Sequence, residues 1–132
     1  MFIWTRINIP ALRINRIVVW CDIIMFYLYE EQIIELVKQI IKKYESALHL
    51  VVIYGSFARQ QHTPNSDLDL LIVGDENVKK QVLNELANIY VNFSVVVSTL
   101  FYSWNQYQKL IHHPFIKRAL KEGIVLWEKR KI

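Results

Sequence analysis

The sequence predicts an α/β domain, and three observations carry that prediction. An amphipathic helix from Glu30 to Tyr44 leads into an apolar strand from Leu48 to Tyr54. A second apolar strand, opening with Asp67 and Asp69 and running to Val73, follows after a break rich in turn residues. The chain then closes on a Pro-initiated helix, Pro114 to Lys121, and a short strand, Ile124 to Trp127. Strands of this length interleaved with helical periods are the pattern of a sheet with helices packed on it.

With 132 residues the chain is read as one domain with a sizeable core. Hydrophobic residues make up 53% and charged residues 21%, a balance that excludes a disordered chain. The net charge of +4 suits an anionic ligand such as a nucleotide. It admits RNA, but no residue pattern points to nucleic acid. The single cysteine, Cys21, excludes an intrachain disulfide and fits a reducing compartment. The longest apolar run, Ile17 to Tyr29, is interrupted by Asp22 and is too short to cross a bilayer. No small-residue cleavage site follows Arg6, Arg13 and Arg16, so a cytoplasmic protein is expected.

Taken in order, residues 1–24 show neither a period of 2 nor of 3.6 and are read as an N-terminal arm, or as an extension upstream of a start at Met25. In the first helix Ile33, Ile34, Val37, Ile40, Ile41 and Tyr44 recur at three and four, with glutamates at its start and Lys42 and Lys43 at its end. After the aspartate strand, Val78, Val82, Leu86 and Ile89 predict a helix from Asn77 to Tyr90. Alternation from Val91 to Ser98 predicts a third strand, with Asn92, Ser94 and Val96 on one face. Tyr102 to Ile111 reads as a further helix, and Gly123 ends the one after it. The basic tail Lys129-Arg130-Lys131 is read as solvated.

The chemistry concentrates in residues 54–73. Alternate side chains of a strand share a face, so Asp67 and Asp69 point one way while Leu68 and Leu70 point into the core. Two carboxylates on one face make a hard, oxygen-rich site suited to Mg²⁺. Gly55 lets backbone approach a ligand closely, and the N–H groups from Ser56 onward can meet phosphate oxygens. His112 and His113 lack a second His/Cys pair at ligand spacing and are read as a helix entrance, not a zinc site. His62 is read as a loop residue, and Tyr102, Trp104 and Tyr107 as core or half-buried aromatics.

Gly55-Ser56, ten residues and then Asp67-x-Asp69, each half abutting an apolar strand, resembles the signature of the DNA polymerase β type nucleotidyltransferase superfamily. Within it the chain is similar to the minimal nucleotidyltransferases, the MNT antitoxins paired with HEPN toxins. Phe57-Ala58-Arg59, Ser66, and the passage from Pro114-Phe115 to Leu126 agree with that pattern, so the resemblance covers about Met25 to Trp127 and implies a domain over residues 25–132.

The resemblance implies an α/β (α+β) nucleotidyltransferase fold, a small mixed β-sheet with helices packed mainly on one face. It implies attack by an acceptor hydroxyl on the α-phosphate of ATP, with Mg²⁺ held by Asp67 and Asp69, and the β- and γ-phosphates held by Gly55 and Ser56 with Arg59 adding a charged donor. It also implies a HEPN-type toxin or other acceptor protein as partner, and it leaves a homodimer open. The family usually has a third carboxylate on the next strand. The matching position here is Ser94, with Asn92 its neighbour, and Gln60 stands where a glycine is common. Two readings follow: a working protein adenylyltransferase, or a catalytically impaired module that neutralises its partner by contact.

Overall fold

A computed structural model describes residues 31–59 and 67–129. The expected arm over residues 1–24, Cys21, Gln60, His62, Ser66 and the tail beyond Lys129 lie outside the described residues. The chain divides into two compact units, Met1–Glu35 and Leu36–Ile132, and all that follows concerns the second apart from the first turns of one helix.

Helix α1 covers residues 31–43, with Ile33, Val37 and Ile41 buried at intervals of one turn. At its end Lys43 and the Tyr44 hydroxyl both donate to Glu85. A 3₁₀ turn, Glu45–Ala47, enters strand β1, Leu48–Tyr54. A single-turn helix α2, Gly55–Ala58, follows at once. Then come β2, Leu68–Gly74, helix α3, Glu76–Phe93, and β3, Val97–Tyr102. Helices α4, Trp104–Leu110, and α5, Pro114–Glu122, precede β4, Ile124–Glu128. The sheet order is β3-β2-β1-β4. Strand β1 pairs antiparallel with β2 and β4, while β2 and β3 run parallel, with α3 as their crossover.

Period-2 alternation gives the sheet two apolar faces. On one, Leu50 and Val52 of β1 and Leu71 and Val73 of β2 form a core with Tyr107 of α4 and Ile116 of α5. On the other, Val51, Ile53, Leu70 and Ile72 are equally closed, at no more than 3% exposure. Here α3, with Val82, Leu86 and Ile89 buried, lies against β3. The α/β architecture and the small mixed sheet are as expected.

The third strand is the clearest correction. Phe93 extends the stripe of Val82, Leu86 and Ile89 by one further turn, so α3 continues through Asn92 to Phe93. Ser94 then caps it in the left-handed region, φ 57°, its N–H donating to the Tyr90 carbonyl at 2.8 Å. Pairing with β2 begins only at Val97, opposite Leu68. Asn92 and Ser94 are therefore helix and cap residues, not strand residues.

The next helix begins later than the hydrophobic pattern suggests, because Tyr102 completes β3 and Ser103 forms a capping box. The Gln106 N–H donates to Ser103 Oγ at 3.2 Å, and the Ser103 N–H donates to Gln106 Oε1 at 2.9 Å. Ser103→Ala is expected to cost about 1 kcal/mol, checked by urea unfolding at an unchanged m-value. His113 does stand at a helix entrance, its Nδ1 accepting from the Phe115 N–H at 3.2 Å ahead of Pro114. At the far end of α5, Gly123 is required by close approach. A Cβ there would run into Val52 Cγ1 and the Ala119 carbonyl and lie 2.9 Å from the Ile53 carbonyl.

Candidate functional site

Strand β1 ends where β2 begins, and this antiparallel return brings the two halves of the motif together. Tyr54 pairs with Asp69 across the ladder, so Gly55 follows directly beside that aspartate. Gly55 has φ +73°, and a Cβ at this position would collide with Asp69 Oδ2 and lie 3.3 Å from its carboxyl carbon. Only glycine allows both the turn and the approach. The Gly55 carbonyl then accepts from the Arg59 N–H at 3.1 Å, which closes α2 into a single turn. Phe57 is buried beneath it, while Ser56 is half-buried at the rim.

The carboxylates divide as strand geometry requires. Leu68 and Leu70 are fully buried, Asp67 is exposed just ahead of β2, and Asp69 is half-buried within it. Burial raises the Asp69 pKa above the ordinary value of 3.8; the Asp67 charge raises it further, and Arg59 opposes both. Two neighbouring acids, one of them half-buried, form an oxygen donor set with surplus negative charge, which is the chemistry a hard divalent cation satisfies. Among the described residues no group of three or more His, Cys, Asp or Glu side chains is placed to hold a metal, and those residues offer two carboxylates here, Asp67 and Asp69. Substrate phosphates and water would complete the coordination.

The position beside Asp69 on the neighbouring strand is Ser98. The parallel register pairs Asp69 with Ser98 and places both on the same face. Ser98 is exposed, and so are Asn92 and Ser94 on α3 and its cap. Asn92 and Ser94, the positions that the sequence suggested, thus lie off the sheet, and the residue beside Asp69 on the next strand is Ser98.

Arg59 is placed close enough for Asp69 to feel its charge, and its Nη1 lies 3.5 Å from Glu122 Oε1 on α5. Arg118 Nε approaches the same oxygen at 3.4 Å. Helix α5 reaches the site at its other end as well, where Phe115 stacks edge-to-face on Tyr54 with ring centroids 5.6 Å apart. Burial, then Asp69 and Tyr102, raise the Tyr54 pKa above 10.0. Sequence reading assigned no role to Glu122, Arg118 or Tyr54. Nothing in local spacing links Glu122 to Arg59, since only the folding of α5 onto β1 and α2 brings them together.

A groove of about 910 Å³ lies elsewhere, at the other end of β1 and roughly 16 Å along the strand from Gly55. Its walls include His49, Trp104 and Tyr107, with ring centroids 5.1 Å apart for His49 and Trp104 and 5.9 Å for Trp104 and Tyr107. Tyr107 belongs to the core, as expected for it. The groove carries neither the glycine turn nor the aspartates.

Gly55→Ala is expected to lower stability by about 1–2 kcal/mol through its positive φ and also to displace Asp69. The paired measurement is thermal unfolding together with nucleotide affinity, both of which should fall.

Residues 35–132 match the family described as "Polymerase beta, Nucleotidyltransferase". The chain is 32% identical over 98 residues to a Methanocaldococcus jannaschii protein named "Putative protein adenylyltransferase MJ0604", covering 74% of this chain and 97% of that one. A second M. jannaschii protein, "Putative protein adenylyltransferase MJ0126", is 28% identical over 95 residues, covering 67% and 92%. Among solved structures the chain is similar to one described as "a putative nucleotidyltransferase from Sulfolobus solfataricus", with 20% identity, a TM-score of 0.48 and coverage of 80% and 89%. It is also similar to a chain in the structure of a tri-AMPylated Shewanella oneidensis HEPN toxin in complex with MNT antitoxin, with 17% identity, a TM-score of 0.42 and coverage of 79% and 73%.

Proposed function

The chain belongs to the polymerase beta nucleotidyltransferase family, and from that premise we propose that it is a Mg²⁺-dependent protein adenylyltransferase that transfers AMP from ATP to a hydroxyl of a partner protein. The observation that carries this reading is the contact between the glycine turn and an acid, Gly55 against Asp69, with Asp67 beside it. Protein acceptors are supported by the names of the M. jannaschii relatives. A HEPN-type toxin is the acceptor class that the motif resemblance favours, in the cytoplasm, where ATP and Mg²⁺ are at hand.

In this mechanism the N–H groups of the Gly55-Ser56 turn hold the β- and γ-phosphates, with Arg59 adding charge from the end of α2. Asp67 and Asp69 would hold Mg²⁺, which when bound neutralises the triphosphate and the charge that develops in transfer. The acceptor oxygen bonds to the α-phosphorus, the bond to the oxygen bridging toward the β-phosphate breaks, and pyrophosphate leaves. The hydroxyl proton passes to water, because a serine in the third position is no base near neutral pH.

That same serine favours a second reading, a module that keeps the nucleotide but silences its partner by contact alone. Incubation with labelled ATP, Mg²⁺ and the protein encoded beside it separates the two. Label on the partner that disappears with Asp67→Ala or Asp69→Ala supports the transferase. A stable complex without label supports the binder and overturns the transferase.

A further inference from the structure

We propose that Glu122 is a positioning residue that draws Arg59 away from the aspartate pair and so keeps those carboxylates open to a divalent cation. This rests on the reading of Asp67 and Asp69 as the Mg²⁺ site.

Arg59 stands between two sets of acids. On one side is Asp69, within range of its charge. On the other is Glu122, 3.5 Å from its guanidinium. A guanidinium is the strongest organic competitor for a pair of carboxylates, because its planar fork of donors fits two oxygens at once. An arginine beside Asp69 therefore threatens to satisfy the site that a metal must occupy. Glu122 offers the same guanidinium a carboxylate on a different element, the last turn of α5.

The backbone fixes both ends of this arrangement. Arg59 is the cap of α2, its N–H bound to the Gly55 carbonyl, so its side chain starts close to the phosphate turn. Glu122 is followed by Gly123, which is packed against Val52 and the Ile53 carbonyl so tightly that a Cβ has no room. The end of α5 is thereby held against the last residues of β1. Arg118, one turn back on α5, approaches the same Glu122 oxygen from the exposed side at 3.4 Å, so Glu122 is shared between two arginines. Arg118 is 70% exposed and is the peripheral member of the set.

The test is the Mg²⁺ concentration that half-saturates binding of a fluorescent ATP analogue, measured at fixed ionic strength with the full chain. Glu122→Gln is expected to raise that concentration about two- to five-fold, the scale of a loosened, partly exposed ion pair. Glu122→Asp should recover part of the loss, and Arg118→Gln should leave it unchanged. The deciding comparison is the double variant. In an Arg59→Gln background, Glu122→Gln should have no effect on the Mg²⁺ requirement, because Glu122 acts through Arg59.

An equal effect of Glu122→Gln with and without Arg59 would overturn the positioning role, since it would show Glu122 acting on the cation by its own charge. No effect in either background would overturn it as well. Wild-type protein that binds the analogue without any need for Mg²⁺ would overturn the metal reading of the aspartates themselves, a failure distinct from the other two.

Discussion

Asp69→Asn is expected to abolish AMP transfer, by on the order of a thousand-fold or more, while making the nucleotide-free protein more resistant to heat. Both effects have one origin. Asp69 is half-buried, and its burial and the neighbouring Asp67 raise its pKa. A carboxyl whose folded-state pKa lies above its unfolded value carries a penalty in its charged form. That penalty is fully present above the folded pKa and absent below the unfolded one, near 3.8. Wild-type stability should therefore rise as pH falls through the window between the two values, and the Asn variant should lack that component. Thermal unfolding of both proteins from pH 7 to pH 4 measures it. Equal melting temperatures across the range would contradict the electrostatic cost assigned to this aspartate.

Ser98→Asp is the second large effect, in the opposite direction. A carboxylate at this position would share the face of Asp69 on the adjacent parallel strand, the placement from which an acid can help hold a cation and accept a proton. Transfer is expected to rise about ten-fold or more, part of the roughly hundred- to ten-thousand-fold that a fully positioned general base contributes. Ser94→Asp should leave the rate unchanged, because Ser94 caps α3 and lies outside the sheet. The single-turnover rate of labelling the acceptor distinguishes these variants. A gain at Ser94 without one at Ser98 would mean that the register of β3 beside β2 is wrong.

The contrast between those two serines shows what the sequence could convey. Strand β1 was legible to the residue, because a run that is apolar apart from His49, bounded by Glu45-Ser46 and by Gly55-Ser56, has no competing period. The bend and the aspartates were legible as a pair because their partnership is local, two strands joined by a short return. Strand β3 was misread because Val91 to Val96 alternates like a strand, while Phe93 also continues the helical stripe of Leu86 and Ile89. Packing of that stripe wins, and the parallel pairing of Leu68 with Val97 then sets where the strand begins. That pairing joins residues far apart in the chain and leaves no local trace. The same holds for Arg59 and Glu122, whose encounter depends on α5 folding back across β1. Which helix takes which face of the sheet is a long-range matter too. Apart from His49 and Asp69, β1 and β2 are apolar on both faces, so the runs alone do not say which helix takes which side.

The most direct measurement is a calorimetric titration of ATP into wild-type protein and into Asp67→Asn and Asp69→Asn, each with Mg²⁺ and with EDTA. Binding by the wild type that requires Mg²⁺ and is lost in both variants is the predicted result. ATP binding of equal strength in all three proteins, or undiminished in EDTA, would show that the aspartates beside the Gly55 turn do not hold the metal-bound triphosphate.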